Sequence, residues 1–162
     1  MRDTDLELVL GWRNDPEVRR HMFTQHEISL PEHRTWFSRN SGDSCKHLLI
    51  YQPDGTPLGF ISLAVQNHPN VADWGFYAAP AAPKGTGRLM GRAALDHAFG
   101  SLGLHKVCGL AIETNRQSIA LHSHLGFQRE GLLRDQHFDG KQYHAVICFG
   151  LLAREWTDAG AS

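Results

Sequence analysis

The chain has 162 residues, 41% hydrophobic and 20% charged, and its 16 basic and 17 acidic side chains leave a formal net charge of -1. That length suits a single domain, 1–162, and the composition excludes a disordered chain or a coiled coil. A charge so close to zero also argues against a protein held to nucleic acid or a membrane surface by bulk attraction.

Thr4 or Asp5 is placed to cap a first helix, with Leu6, Val9 and Leu10 as its apolar stripe and Trp12, Arg13 and Asn14 at its end. Asp15 and Pro16 open a second short helix, Glu17 to Met22. Ser29 and Glu32 fit a capping box for a third, running through Trp36 and Phe37 to about Arg39. Strands then follow. His47–Tyr51 turns at Pro53–Gly55 into Leu58–Val65, and Val71–Ala78 is a third strand. The loop Ala79–Gly87 leads into a helix, Arg88–Phe99, with Leu89, Ala93 and Leu95 turned inward. Lys106–Ile112 reads as a buried strand, and Asn115 caps a helix through Leu125 that Gly126 ends. Gln128–His137 and Gln142–Leu151 form a last hairpin around Asp139 and Gly140. This order predicts an α/β (α+β) sheet with helices on both faces, and the crossover helix makes Val71–Ala78 and Lys106–Ile112 parallel neighbours.

Cys45, Cys108 and Cys148 are far apart and form no CxxC pair. Neither a structural metal site nor a disulfide framework is expected, and reduced thiols suit the cytoplasm. The acidic start, with no apolar run behind it, is not read as a signal peptide, and no stretch is apolar enough to span a bilayer.

The loop Ala82–Arg88 joins a strand to a helix and holds two glycines, Gly85 and Gly87, flanked by Lys84 and Arg88. Glycines let amide N–H groups converge, and a helix start adds donors and a positive dipole end. An anion, naturally a diphosphate, fits such a nest. Taken alone, the stretch reads equally as a glycine-rich surface loop.

With Asp73–Tyr77 before it and Asn115, Ser118, Leu121, Leu125, Gly126 and Phe127 after it, the loop resembles the GNAT superfamily of acetyl-CoA-dependent N-acetyltransferases. The likeness covers roughly residues 45 to 152. It implies that amides of Lys84, Gly85, Thr86, Gly87 and Arg88 hold the cofactor pyrophosphate. It implies that Phe76, Tyr77, Ala78 and Ala79 run beside the pantetheine arm, and that Asn115 and Ser118 contact lower CoA. A helix N-cap is a second reading of Asn115.

Acetyl transfer needs a neutral amine, a polarised carbonyl and a protonated leaving thiolate. Where many members carry a tyrosine acid this chain has His122, either an acid titrating near neutrality or a helix-surface histidine. Where many carry a glutamate, five residues before Asn115, it has Leu110. Asp73, Glu113 or a backbone-held water are then the candidate bases, each carboxylate reading also as a solvated charge. These two departures are what a non-catalytic acyl-CoA-binding module would show.

Within the superfamily, Trp12, Arg13, Asn14, His33, Trp36 and Phe37 resemble one branch. Its members acetylate the 4-amino group of UDP-4-amino-4,6-dideoxy-N-acetyl-β-L-altrosamine, in pseudaminic acid biosynthesis. The implied partner is a small-molecule amine on a nucleotide sugar, with arginines and tryptophans for the UDP group. The same aromatics also read as core. A polyamine or a ribosomal-protein N-terminus is the alternative acceptor, and Asp3, Asp5, Glu7, Asp15, Glu17, Glu27 and Glu32 supply acidic groups. Members usually begin with a strand that is not evident here; either it is missing or the chain starts short, and its loss would leave an edge where a homodimer would pair.

Overall fold

A computed structural model describes residues 1–66 and 70–160. A single 3-10 turn, Asp3–Asp5, precedes α1 (Leu6–Asn14), α2 (Pro16–Arg19) and α3 (Leu30–Ser41). Strands β1 (Lys46–Tyr51), β2 (Gly59–Val65) and β3 (Val71–Ala78) follow, then α4 (Thr86–Asp96), which runs on through a π turn at His97–Ser101. β4 (Lys106–Ile112), α5 (Arg116–His124), β5 (Gln128–Phe138), β6 (Tyr143–Leu152) and α6 (Ala153–Gly160) complete the order.

The six strands hydrogen-bond in the order β1-β2-β3-β4-β6-β5. β1–β2, β4–β6 and β5–β6 are antiparallel, and β3–β4 is parallel, as the crossover through α4 requires. The parallel ladder pairs Val71 with Lys106, Ala72 with Val107 and Asp73 with Cys108. Both strands continue beyond that last pair.

The chain sorts into two compact units, Met1–Ala64 with Gly75–Met90, and Val65–Trp74 with the chain from Gly91 on. In the first, Val9, Trp12 and Phe60 form a buried cluster edged by Trp36, Leu48, Ile50 and Tyr77. In the second, Trp74, Val107, Ala111, Phe127, Val146, Phe149 and Leu151 are buried.

Caps placed most helix starts correctly. Asp15 Oδ1 accepts the Glu17 N–H (2.9 Å), Ser29 Oγ accepts that of Glu32 (3.3 Å) and Asn115 Oδ1 that of Ser118 (3.0 Å). The cap expected at Thr4 or Asp5 is not made, because the Asp5 carboxylate accepts the Arg2 N–H instead, at 2.6 Å. The second helix is shorter than expected and ends at Arg19. In α4 Leu95 is buried as expected, but Leu89 is 59% exposed and Ala93 is exposed, and Met90 and Ala94 take the inner face instead. Gly91 shows why. A Cβ there would meet Leu125 Cδ1 at 2.6 Å, so a residue without a side chain lies on the packed face.

Candidate active site

The loop before α4 is a tight, hydrogen-bonded turn. Gly85 takes φ +92°, a left-handed conformation that glycine adopts without strain. The Pro83 carbonyl accepts both the Thr86 N–H (3.1 Å) and the Thr86 hydroxyl (2.8 Å), and the Gly85 carbonyl accepts the Arg88 N–H (3.0 Å). Among the described residues, the amides of Lys84, Gly85 and Gly87 have no acceptor, and the Lys84 and Arg88 side chains are exposed beside them. Buried Thr86, expected as a ligand-binding residue, therefore has its donors engaged in shaping the turn. The Ala79 N–H is held by the Leu58 carbonyl at 2.9 Å.

In the second unit the structure disagrees with the helix-surface reading of His122. It is a core residue, 1% exposed, neither on the helix surface nor open to a substrate. Its Nδ1 lies 2.7 Å from the Ser118 carbonyl, so that nitrogen carries the proton and donates. Its Nε2 accepts from Trp74 Nε1 at 3.0 Å. The ring stacks on Phe149 at 4.5 Å and 10°. Burial holds its pKa below the ordinary 6.5, partly countered by the Ser118 bond. Burial thus favours the neutral ring, whose Nδ1 proton is engaged by the Ser118 carbonyl. Gly109 makes the arrangement possible, because any Cβ there would strike the imidazole and the indole.

The carboxylates hold structural bonds as well. Glu113 Oε1 accepts the Ala145 N–H at 2.8 Å and stands 3.8 Å from Nδ1 of buried His144, whose Nε2 reaches Asp139 Oδ2 at 2.7 Å. The Asp139 carboxyl is held well below the usual range, first by the Gln142 N–H and then by His144. Asp73 is exposed and accepts from Gln66 Nε2.

The expected acceptor residues divide. Arg13, His33 and Trp36 converge on a cavity of about 280 Å³, with Thr24, Ile28, Glu32, Phe60 and Tyr77 as the rest of its lining. His33 stacks on Trp36 at 5.1 Å and 7°. Arg13 Nη2 donates to the Thr24 carbonyl at 2.7 Å, while Arg13 Nη1 and His33 Nδ1 are buried without a partner. Burial lowers the Arg13 pKa and raises that of the Tyr77 hydroxyl. A second cavity, about 410 Å³, shares Glu32 and Trp36 and adds Thr35, Arg39, Asn40 and Lys46.

The other two acceptor residues do something else. Trp12 is 8% exposed and belongs to the core cluster. Asn14 clasps the Ile28 backbone, donating from Nδ2 to its carbonyl (2.8 Å) and accepting its N–H at Oδ1 (2.9 Å). That clasp fixes the loop carrying Thr24 and Ile28. The three-residue spacing of His33 and Trp36 announces a shared helix face. Nothing in the sequence announces Phe60 or Tyr77, which reach the cavity from separate strands.

Residues 1–128 match the acetyltransferase (GNAT) domain family. Acetyltransferase PseH of Campylobacter jejuni subsp. jejuni serotype O:23/36 (strain 81-176) is 25% identical, over 75% of this chain and 76% of that protein. Spermidine N(1)-acetyltransferase of Escherichia coli (strain K12) is 26% identical, over 88% of this chain and 78% of that protein. A Vibrio cholerae spermidine N-acetyltransferase, solved with CoA and spermine, superposes with a TM-score of 0.88 at 22% identity, covering 97% of this chain and 95% of that one. With family and fold in agreement, the chain belongs to the GNAT acetyltransferases, enzymes that move the acetyl group of acetyl-CoA to an amine.

Proposed function

We propose that the whole chain works as one acetyltransferase domain in the cytoplasm, and that its acceptor is the amine of a nucleotide-linked sugar, such as a UDP-linked 4-amino-4,6-dideoxy sugar. The observation that carries this reading is the Arg13 guanidinium in the wall of the aromatic cavity, with one nitrogen still unpartnered. Guanidinium is always charged and only donates. It repels a polyamine and welcomes the oxygens of a sugar or phosphate. Trp36 and Tyr77 offer flat faces for a ring, and the adjoining cavity carries two cations, Arg39 and Lys46, for a diphosphate. One observation favours the second reading, a polyamine: the Glu32 carboxylate lines both cavities, although it already bonds His26 at 2.9 Å.

The donor's diphosphate is assigned to the unpartnered amides of Lys84, Gly85 and Gly87. Gly85→Val forces a branched side chain into the left-handed region, at a cost of about 1–2 kcal/mol, and distorts the nest. KM for acetyl-CoA should rise roughly 10-fold, equivalent to about 1.4 kcal/mol. An unchanged KM would move the diphosphate elsewhere. Of the candidate bases we assign Asp73, whose carboxylate is exposed, whereas Glu113 holds the Ala145 amide.

Steady-state assays with acetyl-CoA test the acceptor directly. A UDP-linked 4-amino sugar, spermidine and a basic peptide are offered to wild type and to Asp73→Asn. The sugar should give the largest kcat/KM, and the variant should lose roughly 100-fold in kcat on it. Turnover of spermidine alone would overturn the acceptor, and an unaffected Asp73→Asn would overturn the base.

A further inference from the structure

We propose that Arg13 Nη1 and His33 Nδ1 act as a matched pair that reads a single hydroxyl group of the acceptor. The inference rests on the nucleotide-sugar reading and makes it more specific. Buried polar atoms are nearly always hydrogen-bonded, so an unpartnered one asks for a reason. Here Arg13 Nη1 and His33 Nδ1 are both unpartnered, and both residues line the same cavity. His33 is 4% exposed, so solvent does not satisfy it.

The two atoms have opposite character. Arg13 Nη1 can only donate. A neutral imidazole has one donor and one acceptor nitrogen, and with the proton on Nε2 the unpartnered Nδ1 accepts. Nδ1 is then a bare acceptor. The neutral form is favoured by burial first, and the nearby Arg13 charge acts in the same direction.

Only some ligand groups complement a donor and an acceptor together. A hydroxyl does: its oxygen accepts from Arg13 and its proton goes to His33. An ammonium supplies protons for His33 but meets a like charge at Arg13. A carboxylate or phosphate serves Arg13 and leaves His33 facing lone pairs. A cavity of about 280 Å³ with Trp36, Phe60 and Tyr77 in its wall gives a hydroxylated ring both room and apolar contact.

The test measures wild type, His33→Phe, Arg13→Lys and the double variant on the UDP-linked amino sugar and on spermidine. Arg13→Lys keeps the charge and reach toward the Thr24 carbonyl but loses the second donor nitrogen. His33→Phe keeps the stack on Trp36. Each single variant should raise KM for the sugar roughly 10-fold with kcat nearly unchanged, and the double variant should be little worse than either. KM for spermidine should not rise. Additive effects of the two changes, or an unmoved KM, would overturn the pair while leaving the acceptor class intact. A wild-type enzyme inactive on the sugar would instead overturn the acceptor class, and the pair with it. Should a variant fail to fold, deoxy analogues of the sugar on wild type give the answer. One missing hydroxyl should raise KM by a similar factor, and if none does the proposal is wrong.

Discussion

Gly109→Ala is expected to destabilise the enzyme by about 3 kcal/mol, the upper part of the range for forcing atoms into a packed core. For a chain of this size that lowers Tm by roughly 6–12 °C. The added Cβ would sit 2.6 Å from Trp74 Nε1 and closer still to His122 Nε2. Neither atom can retreat easily. The indole stacks on Phe127 at 4.9 Å, and the imidazole is fixed by Ser118 and Phe149. The contact would therefore break the Trp74–His122 hydrogen bond or move β4, which is antiparallel to β6 over seven pairs from Lys106↔Leu152 to Ile112↔Val146. Thermal unfolding decides it. A Tm within roughly 2 °C of wild type would show that this strand has slack, contrary to its packing.

His122→Phe separates stability from chemistry. Phenylalanine preserves the stack on Phe149 but removes the acceptor of Trp74 Nε1, at a cost of about 1–3 kcal/mol. The one proton of the neutral His122 ring is engaged by the Ser118 carbonyl, so kcat should stay near the wild-type value across the pH range. A large loss of kcat at unchanged Tm would restore the acid role. The pH dependence of folding has a definite sign. The folded state favours neutral His122, whose pKa lies below the ordinary 6.5. Below pH 6.5 the unfolded chain gains a proton there that the folded chain resists. Wild-type stability should therefore be complete above that pH and fall as the solution is acidified toward the folded value. His21 and His33 are shifted in the same direction by burial, so the variant should flatten only part of the slope.

What the sequence disclosed follows the range of the interactions involved. Caps, turns and alternation act over a few residues, and these located α3, α5, β3, β4 and the closing hairpin closely. The same local logic misplaced the inner face of α4, where packing against Leu125 selects Gly91 over a larger residue. It also missed α6, which is anchored from a distance: Trp156 Nε1 donates to Asp96 at 2.9 Å and Gln128 to Glu155 at 2.7 Å. At the site, the glycine loop was legible because its conformation is encoded locally. His122 was not. Its burial depends on Trp74, Gly109 and Phe149, three residues on three strands, and only their meeting converts a candidate acid into part of the core. Trp12 and Asn14 belonged to a motif without touching the cavity, each supporting a neighbour that does.

The closing hairpin has a consequence for the order of assembly. Phe138 pairs with Tyr143 across a turn where Gly140 takes φ +93° and Asp139 Oδ1 accepts the Lys141 and Gln142 amides. Closing so short a loop costs little chain entropy, whereas the parallel β3–β4 pair joins residues 35 positions apart, Val71 to Lys106, through three rungs. The hairpin should thus nucleate early and recruit β4, with the parallel rungs forming late. Amide hydrogen–deuterium exchange should be slowest in the middle of β6, which has neighbours on both sides, and faster at Val71–Asp73.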